Sequence, residues 1–336
     1  MENTQHSTTI KWGIIGVGDV CEVKSGPAFQ KAKGSALISV MRRSGNLAKD
    51  FADRHGVPQW SSNADELIND PEIDAIYIAT PPNSHAEYAI KAAQAGKIVY
   101  VEKPMARTHA ECLSMIEACK TANVPLFVAY YRRSLPNFLK IKELLENKAI
   151  GEVRFVNICI QKPLHPDIVG FSSNPKNWRA NPDISGGGYF YDLASHQLDA
   201  LDFLLGPIAK AIGYSKNQGG IYPADDIVVG NFVFESGVVG TGLWSFAAND
   251  ISQKEITTIV GSKGQISFPY FGDHSVTLEV EGEQPQRFEY DIPKNIQLPF
   301  IQSIINELHV KAICPSHGES AARTNWVMEQ ICGPID

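Results

Sequence analysis

The segment KIVYVEKP, residues 97–104, is a short β-branched run that ends at an acid, a base and a proline. The run Ile98–Val101 predicts a buried strand of a parallel sheet, because such strands are hydrophobic along their whole length. Ligands of open α/β sheets bind outside the carboxyl ends of the strands, where Glu102, Lys103 and Pro104 would follow. A lone lysine after a strand is usually a surface charge. Its position at a strand end, between an acid and a proline, makes Lys103 a candidate functional residue instead.

Strands and helices alternate through the first part of the chain, on both sides of this segment. The predicted strands are Thr9–Ile15, Leu37–Met41, Ala75–Ala79, Ile98–Val101 and Pro125–Ala129. The predicted helices are Asn46–Arg54, Ala64–Ile68, Ala86–Ala95 and Ala110–Lys120. Asn83 or Ser84 is placed to cap the third of these helices. Alternation of this kind indicates a doubly wound α/β fold built on a parallel sheet.

A glycine loop follows the first predicted strand. Residues 16–21, GVGDVC, form a G-x-G-x-x-C pattern, one small residue away from the dinucleotide fingerprint. Gly16 would allow the tight turn, and Gly18 would let a pyrophosphate approach the helix that begins near Asp19 and Val20. Cys21 is small enough for close helix packing. The pattern alone also fits a simple glycine turn, but the alternating strands and helices favour a dinucleotide site.

The end of the second predicted strand bears on which dinucleotide binds. NAD sites usually carry an acid about 20 residues after the glycines, for the ribose 2′-hydroxyl, whereas NADP sites have a cation for the 2′-phosphate. Here Arg42 and Arg43 follow the strand, and no carboxylate precedes Asp50. A guanidinium can bind a phosphate through two hydrogen bonds. The sequence therefore favours NADP(H) over NAD(H), and two solvated arginines are the alternative.

The second half of the chain consists mainly of strand-like runs, several of which alternate apolar and polar residues. They are Glu152–Ile158, Ala209–Tyr214, Ile227–Glu235, Val238–Phe246, Lys254–Val260, Gln265–Phe268, Ser275–Val280 and Arg287–Tyr290, with a hairpin turn at Glu235–Gly237. This pattern predicts a mainly antiparallel sheet with helices on one face. The open face is a candidate interface for a homodimer or homotetramer.

One predicted helix in this half places charged residues on a single face. It follows the glycines 186–188, and Asp192, His196 and Asp199 are spaced i, i+4 and i+7 along it. Asp192 can orient the His196 imidazole, which points to acid–base chemistry. A solvated helix face is the main alternative, and we expect no metal, because no closed Cys/His ligand set accompanies these residues. His165, in a loop, is a rival acid–base candidate.

Length and composition limit the remaining possibilities. A chain of 336 residues exceeds what one hydrophobic core usually serves, so we expect a dinucleotide-binding domain at 1–133 and a second domain at 134–336. A C-terminal helix at about 317–332 can pack back near the first domain. The formal charge of −7 and the pI near 5.7 argue against nucleic-acid and membrane-surface partners. The polar N-terminus and scattered cysteines favour a cytoplasmic protein with reduced thiols.

Four motifs together resemble those of the Gfo/Idh/MocA family of oxidoreductases, in the family's order and over nearly the whole chain. They are Gly16-x-Gly18, Thr80-Pro-Pro-Asn-x-His85, Glu102-Lys-Pro104, and Gly188 followed by Asp192-x-x-x-His196. The resemblance implies a Rossmann domain joined to an open, mainly antiparallel α/β domain, with NAD(P) bound by the first. The chain departs from the family pattern at Cys21, where glycine or alanine is usual, and at Arg42, where Asp or Ser is frequent.

The resemblance also implies roles for individual residues. Lys103 and His196 would be the acid–base pair, with Asp192 as their helper. The nicotinamide end of the cofactor would be lined by Thr80, Pro81, Pro82, Asn83, His85, Glu102, Lys103, Trp178 and Arg179. The substrate would contact Lys103, Tyr131, Arg132, His165, Asp192 and His196. A cis peptide bond between Lys103 and Pro104 is a further hypothesis.

These inferences predict an enzyme that transfers hydride between NADP(H) and a carbonyl or hydroxyl group of a sugar, polyol or related small molecule. Such a transfer builds negative charge on oxygen, so the site needs a cation or acid directed at that oxygen. Two alternatives remain open. A non-catalytic NADP-binding sensor or scaffold would not need Lys103 and His196 together, and a redox-neutral, glycosidase-like enzyme would hold NAD tightly.

Overall fold

The computed structural model describes residues 9–163 and 177–333. The predicted candidate His165 therefore lies outside the described residues. Within these ranges the chain divides into two compact units. The first comprises the described residues of Met1–Met105, Ala110–Ser134 and Pro293–Glu319, and the second those of Ala106–His109, Leu135–Ile292 and Ser320–Asp336.

The first unit contains a parallel sheet, which in the described residues has six strands. They are β1 (Ile10–Ile15), β2 (Ser35–Met41), β3 (Gln59–Ser61), β4 (Ala75–Ile78), β5 (Ile98–Val101) and β6 (Leu126–Val128). Their spatial order is β3-β2-β1-β4-β5-β6, with every pairing parallel. The order reverses between β1 and β4, which makes this a doubly wound sheet with its switch point there. The predicted fold of this half is confirmed.

Helices connect these strands. They are α1 (Asp19–Val23), α2 (Gly26–Lys31), α3 (Gly45–His55), α4 (Ala64–Ile68), α5 (His85–Gln94) and α6 (His109–Thr121). Ser84, one of the two predicted candidates, is the N-cap residue of α5, but its side chain makes no capping hydrogen bond. Residues Pro82–Ser84 form a 3₁₀ turn, and the Ser84 hydroxyl donates to the Pro81 carbonyl oxygen and the Thr80 hydroxyl instead. The edge strand β3 was not predicted, because its Gln59 and Trp60 are exposed and leave no burial pattern in the sequence.

An aromatic cluster fills one side of the parallel sheet. Trp12 lies 4.8 Å from Phe29 between ring centroids, and Tyr77 stacks on Tyr100 at 4.6 Å. These four side chains are fully buried. Large aromatic groups of this kind bury much apolar surface and dominate the stability of a core. The two tyrosines also carry hydroxyl groups into the interior, where they need hydrogen-bond partners.

The second unit contains a mainly antiparallel sheet, which in the described residues has eight strands. They are β7 (Val153–Pro163), β8 (Ile208–Lys216), β9 (Ile227–Phe234), β10 (Val239–Ala248), β11 (Lys254–Gly261), β12 (Gly264–Phe268), β13 (Val276–Val280) and β14 (Gln286–Phe288). The spatial order is β14-β13-β12-β11-β7-β10-β9-β8, and only the β7–β10 pairing among these strands is parallel. The predicted hairpin turn before β10 is confirmed, with Gly237 at φ +85°.

Helices cover one face of this sheet, which we call the inner face. The helices of this part of the chain are α7 (Pro136–Glu146), α8 (Pro182–Ser185) and α9 (Gly188–Leu205). The inner face carries Trp244 of β10, whose indole N–H donates to the Gln197 side chain of α9 at 2.7 Å. The α9 residues from Gly188 to Asp202 are all buried. The helix is therefore part of the core and not a solvated surface element.

Two helices complete the described chain, α10 (Leu298–Leu308) and α11 (Gly318–Cys332). The prediction kept residues 134–336 together, whereas the segment Pro293–Glu319 belongs to the compact unit of the parallel sheet. The apolar side of α10 explains this, because Phe300 is fully buried and its ring lies 5.8 Å from that of Tyr100. All six cysteines lie in the described ranges and are free thiols. No described helix is long and apolar enough to cross a bilayer.

Candidate active site

The glycine loop after β1 has the geometry that a dinucleotide needs. Gly16 has a φ of +96°, and a Cβ there would lie 2.9 Å from the backbone nitrogen of Thr80. Gly18 is different, because among the described residues a Cβ there would meet only the Gly16 carbonyl oxygen, at 4.0 Å. The first glycine is thus required by the turn, and the second leaves open space beside the backbone.

The residues around this loop support it in different ways. Cys21 is fully buried in α1, and burial raises the pKa of its thiol to about 12, so it packs as a small apolar group. Arg42 follows β2, and its guanidinium donates to the Val17 carbonyl oxygen at 3.2 Å. Arg43 is exposed beside it. The two arginines therefore lie at the strand end next to the glycine loop, as the sequence predicted.

His85 joins two loops at the carboxyl ends of β4 and β5. Its ring is fully buried, with Nε2 2.7 Å from the Thr80 carbonyl oxygen and Nδ1 3.1 Å from that of Pro104. Burial lowers the pKa of His85, while the surrounding carbonyl oxygens oppose that shift. The side chain acts on the backbone of both loops. Any contribution to a cofactor site is made through those loops, since the ring has no exposed surface.

A buried hydrogen-bond network holds Glu102, the residue before Lys103. The Tyr77 hydroxyl donates to Glu102 Oε1 at 2.5 Å, and the Gln297 amide donates to the same oxygen at 2.6 Å. The Tyr100 hydroxyl in turn donates to Gln297 at 2.9 Å. Burial and the Glu102 carboxylate raise the pKa of both tyrosines well above its usual value, so they remain hydrogen-bond donors at any physiological pH.

The other carboxylate oxygen of Glu102 acts on the candidate catalytic residue. Glu102 Oε2 accepts the backbone N–H of Lys103 at 3.1 Å. The Lys103–Pro104 peptide bond is cis, as hypothesised, and the Lys103 side chain is partly exposed. Sequence reasoning missed Gln297, because it lies 195 residues from Glu102 and no local pattern marks it.

The second group of candidates lies on α9 and the segment before it. Asp192 and His196 are both buried, so the alternative of a solvated helix face is wrong. The Arg179 Nε atom lies 3.4 Å from Asp192 Oδ2, and the Arg179 guanidinium lies 4.5 Å from the centroid of the Trp178 ring. The Phe271 ring approaches the His196 ring edge-on, at 6.0 Å between centroids. An acid, a base and a cation are therefore gathered in this unit.

The glycines before α9 serve internal packing. A Cβ at Gly186 would lie 2.8 Å from the Arg107 carbonyl oxygen, and a Cβ at Gly187 would lie 2.2 Å from the Tyr191 ring. Gly188 has a φ of +69°, which favours glycine. Gly186 lets the Arg107 backbone come close, one of the two uses that the sequence predicted, whereas side chains lie against Gly187 and Gly188.

The remaining predicted site residues range from exposed to buried. Asp19 is exposed and Val20 half-buried in the first turn of α1, while Asn83 is exposed in the turn before α5. Thr80 and Pro81 are half-buried, and Pro82 is buried. Tyr131 and Arg132 lie in a buried 3₁₀ turn of the first unit, with the guanidinium 5.6 Å from the tyrosine ring. The role predicted for each residue stays a prediction.

Comparison with known proteins gives the family. The family model described as "Oxidoreductase family, NAD-binding Rossmann fold" matches residues 10–130, and the GFO/IDH/MocA C-terminal domain matches residues 138–267. Oxidoreductase P35 of Formosa agariphila is 40% identical over 324 residues, which cover 96% of this chain and 98% of that protein. Levoglucosan dehydrogenase of Pseudarthrobacter phenanthrenivorans is 29% identical over an aligned region that covers 72% of this chain and 67% of that protein.

Solved structures agree in fold. The aldose–aldose oxidoreductase of Caulobacter crescentus, complexed with glycerol, superposes with a TM-score of 0.81 at 24% identity and covers 96% of each chain. A levoglucosan dehydrogenase complexed with NADH and levoglucosan gives a TM-score of 0.82 at 23% identity, covering 96% of each chain. The chain therefore belongs to the Gfo/Idh/MocA family and is an NAD(P)-dependent dehydrogenase or reductase.

Proposed function

We propose that the protein is an NADP(H)-preferring oxidoreductase of sugars, polyols or related small molecules, with Lys103 and His196 as its acid–base groups. The observation that carries the proposal is the fixed backbone of Lys103 at the carboxyl end of β5, together with the buried Asp192 and His196 of α9. Relatives named for carbohydrate substrates support the substrate class, among them a myo-inositol 2-dehydrogenase of Thermotoga maritima.

The residues of the first unit fit a dinucleotide. The open space beside Gly18 and the left-handed Gly16 suit a pyrophosphate on the loop, with Asp19 and Val20 in the adjoining turn. Thr80, Pro81 and Glu102 would hold the nicotinamide ribose, and Trp178 with Arg179 would complete that end of the site. When bound, the nicotinamide ring supplies or accepts the hydride.

The preference for NADP(H) rests on the two arginines after β2. Arg42 is held against the glycine loop by its bond to Val17, and Arg43 is exposed beside it. The two guanidinium groups would bind the 2′-phosphate, and no carboxylate follows β2 before Asp50 to repel it. The named NADH complexes belong to relatives at lower identity, so the cation pair of this chain decides the proposal.

Lys103 and His196 would perform complementary proton chemistry. In reduction, the Lys103 ammonium would stabilise the negative charge that develops on the carbonyl oxygen, and His196 would supply the proton. In oxidation, neutral His196 would take the hydroxyl proton, and the Lys103 ammonium would stabilise the negative charge that develops on that oxygen. Asp192 would keep the imidazole in the required orientation, a role that carboxylates commonly play for catalytic histidines.

Two measurements test this function. Fluorescence titration of the purified protein with NADPH and NADH should show tighter binding of NADPH. Turnover should then be screened with NADP(H) and with NAD(H), each in its oxidised and reduced form, against aldoses, polyols, ketoses and their carboxylated derivatives. Redox turnover of at least one such compound supports the proposal, whereas tighter NADH binding removes the cofactor preference. An absence of redox turnover with either cofactor contradicts the enzymatic assignment.

We further propose that the outer face of the eight-stranded sheet joins subunits into a homodimer or homotetramer. That face carries exposed apolar side chains, namely Phe155, Ile212, Tyr214, Val229 and Val239. Exposed apolar patches of this kind commonly mark protein interfaces. Light scattering should give the mass of a dimer or a tetramer of the 36.9 kDa chain. Phe155→Lys should lower that mass, and Leu113→Lys, at an exposed apolar position of the first unit, should not. A monomeric wild type would contradict the proposal.

A further inference from the structure

Lys162 lies near the end of β7, and its side chain is on the inner face of the sheet, which α9 covers. Val156, Ile158 and Ile160 are the buried residues of this strand, and every second residue of a strand points to the same face. Ile160 pairs with Trp244, which contacts α9 on the inner face. Lys162 is two residues further along, so its side chain belongs to the same face. On this face of β7, a cationic residue thus follows three buried apolar residues.

Lys162 lies close to the candidate residues of α9. The Lys162 ammonium lies 5.5 Å from the centroid of the Phe271 ring, and that ring lies 6.0 Å from the ring of His196. On the neighbouring strand β10, the Phe246 ring lies 5.9 Å from that of Tyr189, two helical turns before His196. Lys162 is therefore on the part of the inner face, called the wall below, that faces the part of α9 containing Asp192.

Two described acids near Lys162, Glu255 and Asp192, have other partners. Glu255 pairs with Ile160 across the β7–β11 ladder, and its carboxylate accepts the backbone N–H groups of Tyr270 and Phe271 at 3.0 and 3.1 Å. Asp192 is paired with Arg179. Among the described residues, none forms a hydrogen bond or ion pair with Lys162, whose contact there is with the face of Phe271.

The charge on Lys162 is consequently poorly compensated. The side chain is half-buried, and burial lowers its pKa, with Glu255 opposing the shift only from a distance. A half-buried cation that forms no ion pair with any described residue is costly to a protein. A ligand that brings a negative group into this wall would remove that cost, whereas a neutral ligand would not.

We propose that Lys162 binds a carboxylate of the substrate, so that the enzyme acts on sugar acids in preference to neutral sugars. This inference rests on the proposed oxidoreductase function and narrows its substrate class. The carboxylate would lie near Phe271 and His196, and the hydroxyl or carbonyl that reacts would be another group of the same molecule. Among the described residues, Arg179 is a second cation near this part of α9, but Asp192 already neutralises it.

The test compares matched pairs of acid and neutral compounds. Turnover with NADP⁺ and with NAD⁺ is measured for D-glucuronate against D-glucose, D-galacturonate against D-galactose, and D-gluconate against D-glucitol. The wild type should favour the acid of at least one pair by ten-fold or more in kcat/KM. Lys162→Met should remove that preference while leaving turnover of the neutral partner within about two-fold, and Lys162→Arg should retain it because the charge remains. Lys263→Met, at an exposed position of the turn between β11 and β12, is the matched control.

Folding is checked separately by the thermal midpoint. Lys162→Met should leave the midpoint unchanged or raise it, because it removes a half-buried charge. Equal or better use of neutral sugars by the wild type overturns the inference, and so does an acid preference that survives Lys162→Met. If the wild type turns over no acid and no neutral compound with either cofactor, the proposed function fails, and the inference fails with it. If the wild type turns over neutral sugars alone, the proposed function stands and only the inference about Lys162 fails.

Discussion

Lys103 and His196, the two proposed acid–base residues, are supported in different ways. The backbone of Lys103 is held by Glu102, and Glu102 is held by Tyr77 and by Gln297, which is 195 residues away in the chain. His196 instead lies on an 18-residue helix whose first 15 residues are all buried. One residue depends on a few hydrogen bonds from remote segments, and the other on the packing of its own helix.

The difference predicts how each site responds to substitution. Removing one donor of a buried carboxylate leaves that carboxylate undersatisfied, which costs more than the average hydrogen bond contributes. A helix embedded in a core distributes its support over many apolar contacts. We therefore expect single remote substitutions to affect Lys103 more than comparable substitutions affect His196.

The largest expected effect follows from Lys103→Met. The variant keeps the length of the side chain but removes the cation, so kcat should fall by about 10²–10⁴-fold, the usual contribution of an acid–base group. The Kd for NADPH should change little, since the backbone support of the loop remains. Steady-state kinetics and fluorescence titration measure the two quantities. Unchanged turnover would exclude Lys103 from the chemistry.

Gln297→Leu should have the next largest effect and tests the remote support directly. The substitution removes a donor to Glu102 and the acceptor of Tyr100, at a cost of about 1–3 kcal/mol in the free energy of unfolding. It should also lower kcat by about ten-fold, a change worth about 1.4 kcal/mol in the barrier, while the KM of the substrate stays nearly constant.

The matched control for this variant is Gln330→Leu, at an exposed position of α11. It should alter neither the thermal midpoint nor kcat. If Gln297→Leu lowers the midpoint but leaves kcat at the wild-type value, the network stabilises the fold only and does not position Lys103.

Arg42→Ser tests the proposed preference for NADP(H) over NAD(H). A charge-assisted hydrogen bond contributes about 1.5–3 kcal/mol, so the Kd for NADPH should rise by about 10- to 150-fold while that for NADH changes little. Arg154→Ser, at an exposed position of β7, should leave both constants unchanged. Equal weakening of both cofactors would show that Arg42 supports the glycine loop through Val17 and does not recognise a phosphate.

The smallest effect concerns an ion pair beside the glycine loop. Arg54 donates two hydrogen bonds of 2.8 Å to Glu22, and this lowers the pKa of the carboxyl group to about 2. Since the folded-state pKa is depressed, the stabilisation is present above the unfolded pKa of about 4.3 and is lost as the pH falls toward 2. The pair is substantially exposed, so it contributes about 0.2–1 kcal/mol.

Thermal midpoints of Glu22→Gln and the wild type at pH 7 and pH 2 measure this contribution. The variant should be slightly less stable at pH 7, and the difference should vanish near pH 2. Glu283→Gln, at an exposed turn, should match the wild type at both values. A difference that persists at pH 2 would show that Glu22 acts by packing and not by its charge.

Much of the fold was predictable from periodicity. The continuous apolar runs of β4 and β5 identified strands buried on both sides, and the alternation in β7 and β9 identified strands with one exposed face. The edge strand β3 and the hydrogen bonds of the Ser84 hydroxyl before α5 were not predictable in this way. Both depend on pairing or on loop geometry that leaves no hydrophobic pattern.

The candidate site was predictable only where its residues share a motif. The pair Asp192 and His196 is visible as an i, i+4 spacing, and Lys103 is marked by its place between an acid and a proline at a strand end. Gln297 and Lys162 carry no such mark. Their significance comes from contacts made by segments far apart in the chain, which a single sequence does not reveal.

A double-mutant cycle tests the proposed acid–base pair most directly. Hydride transfer is measured in a single turnover for the wild type, Lys103→Met, His196→Asn and the combined variant. If the two side chains act on one bound substrate, the combined variant should be scarcely slower than Lys103→Met alone, because groups that act as a unit are strongly non-additive. Fully additive losses, or a normal rate for His196→Asn, would contradict the pairing of Lys103 with His196.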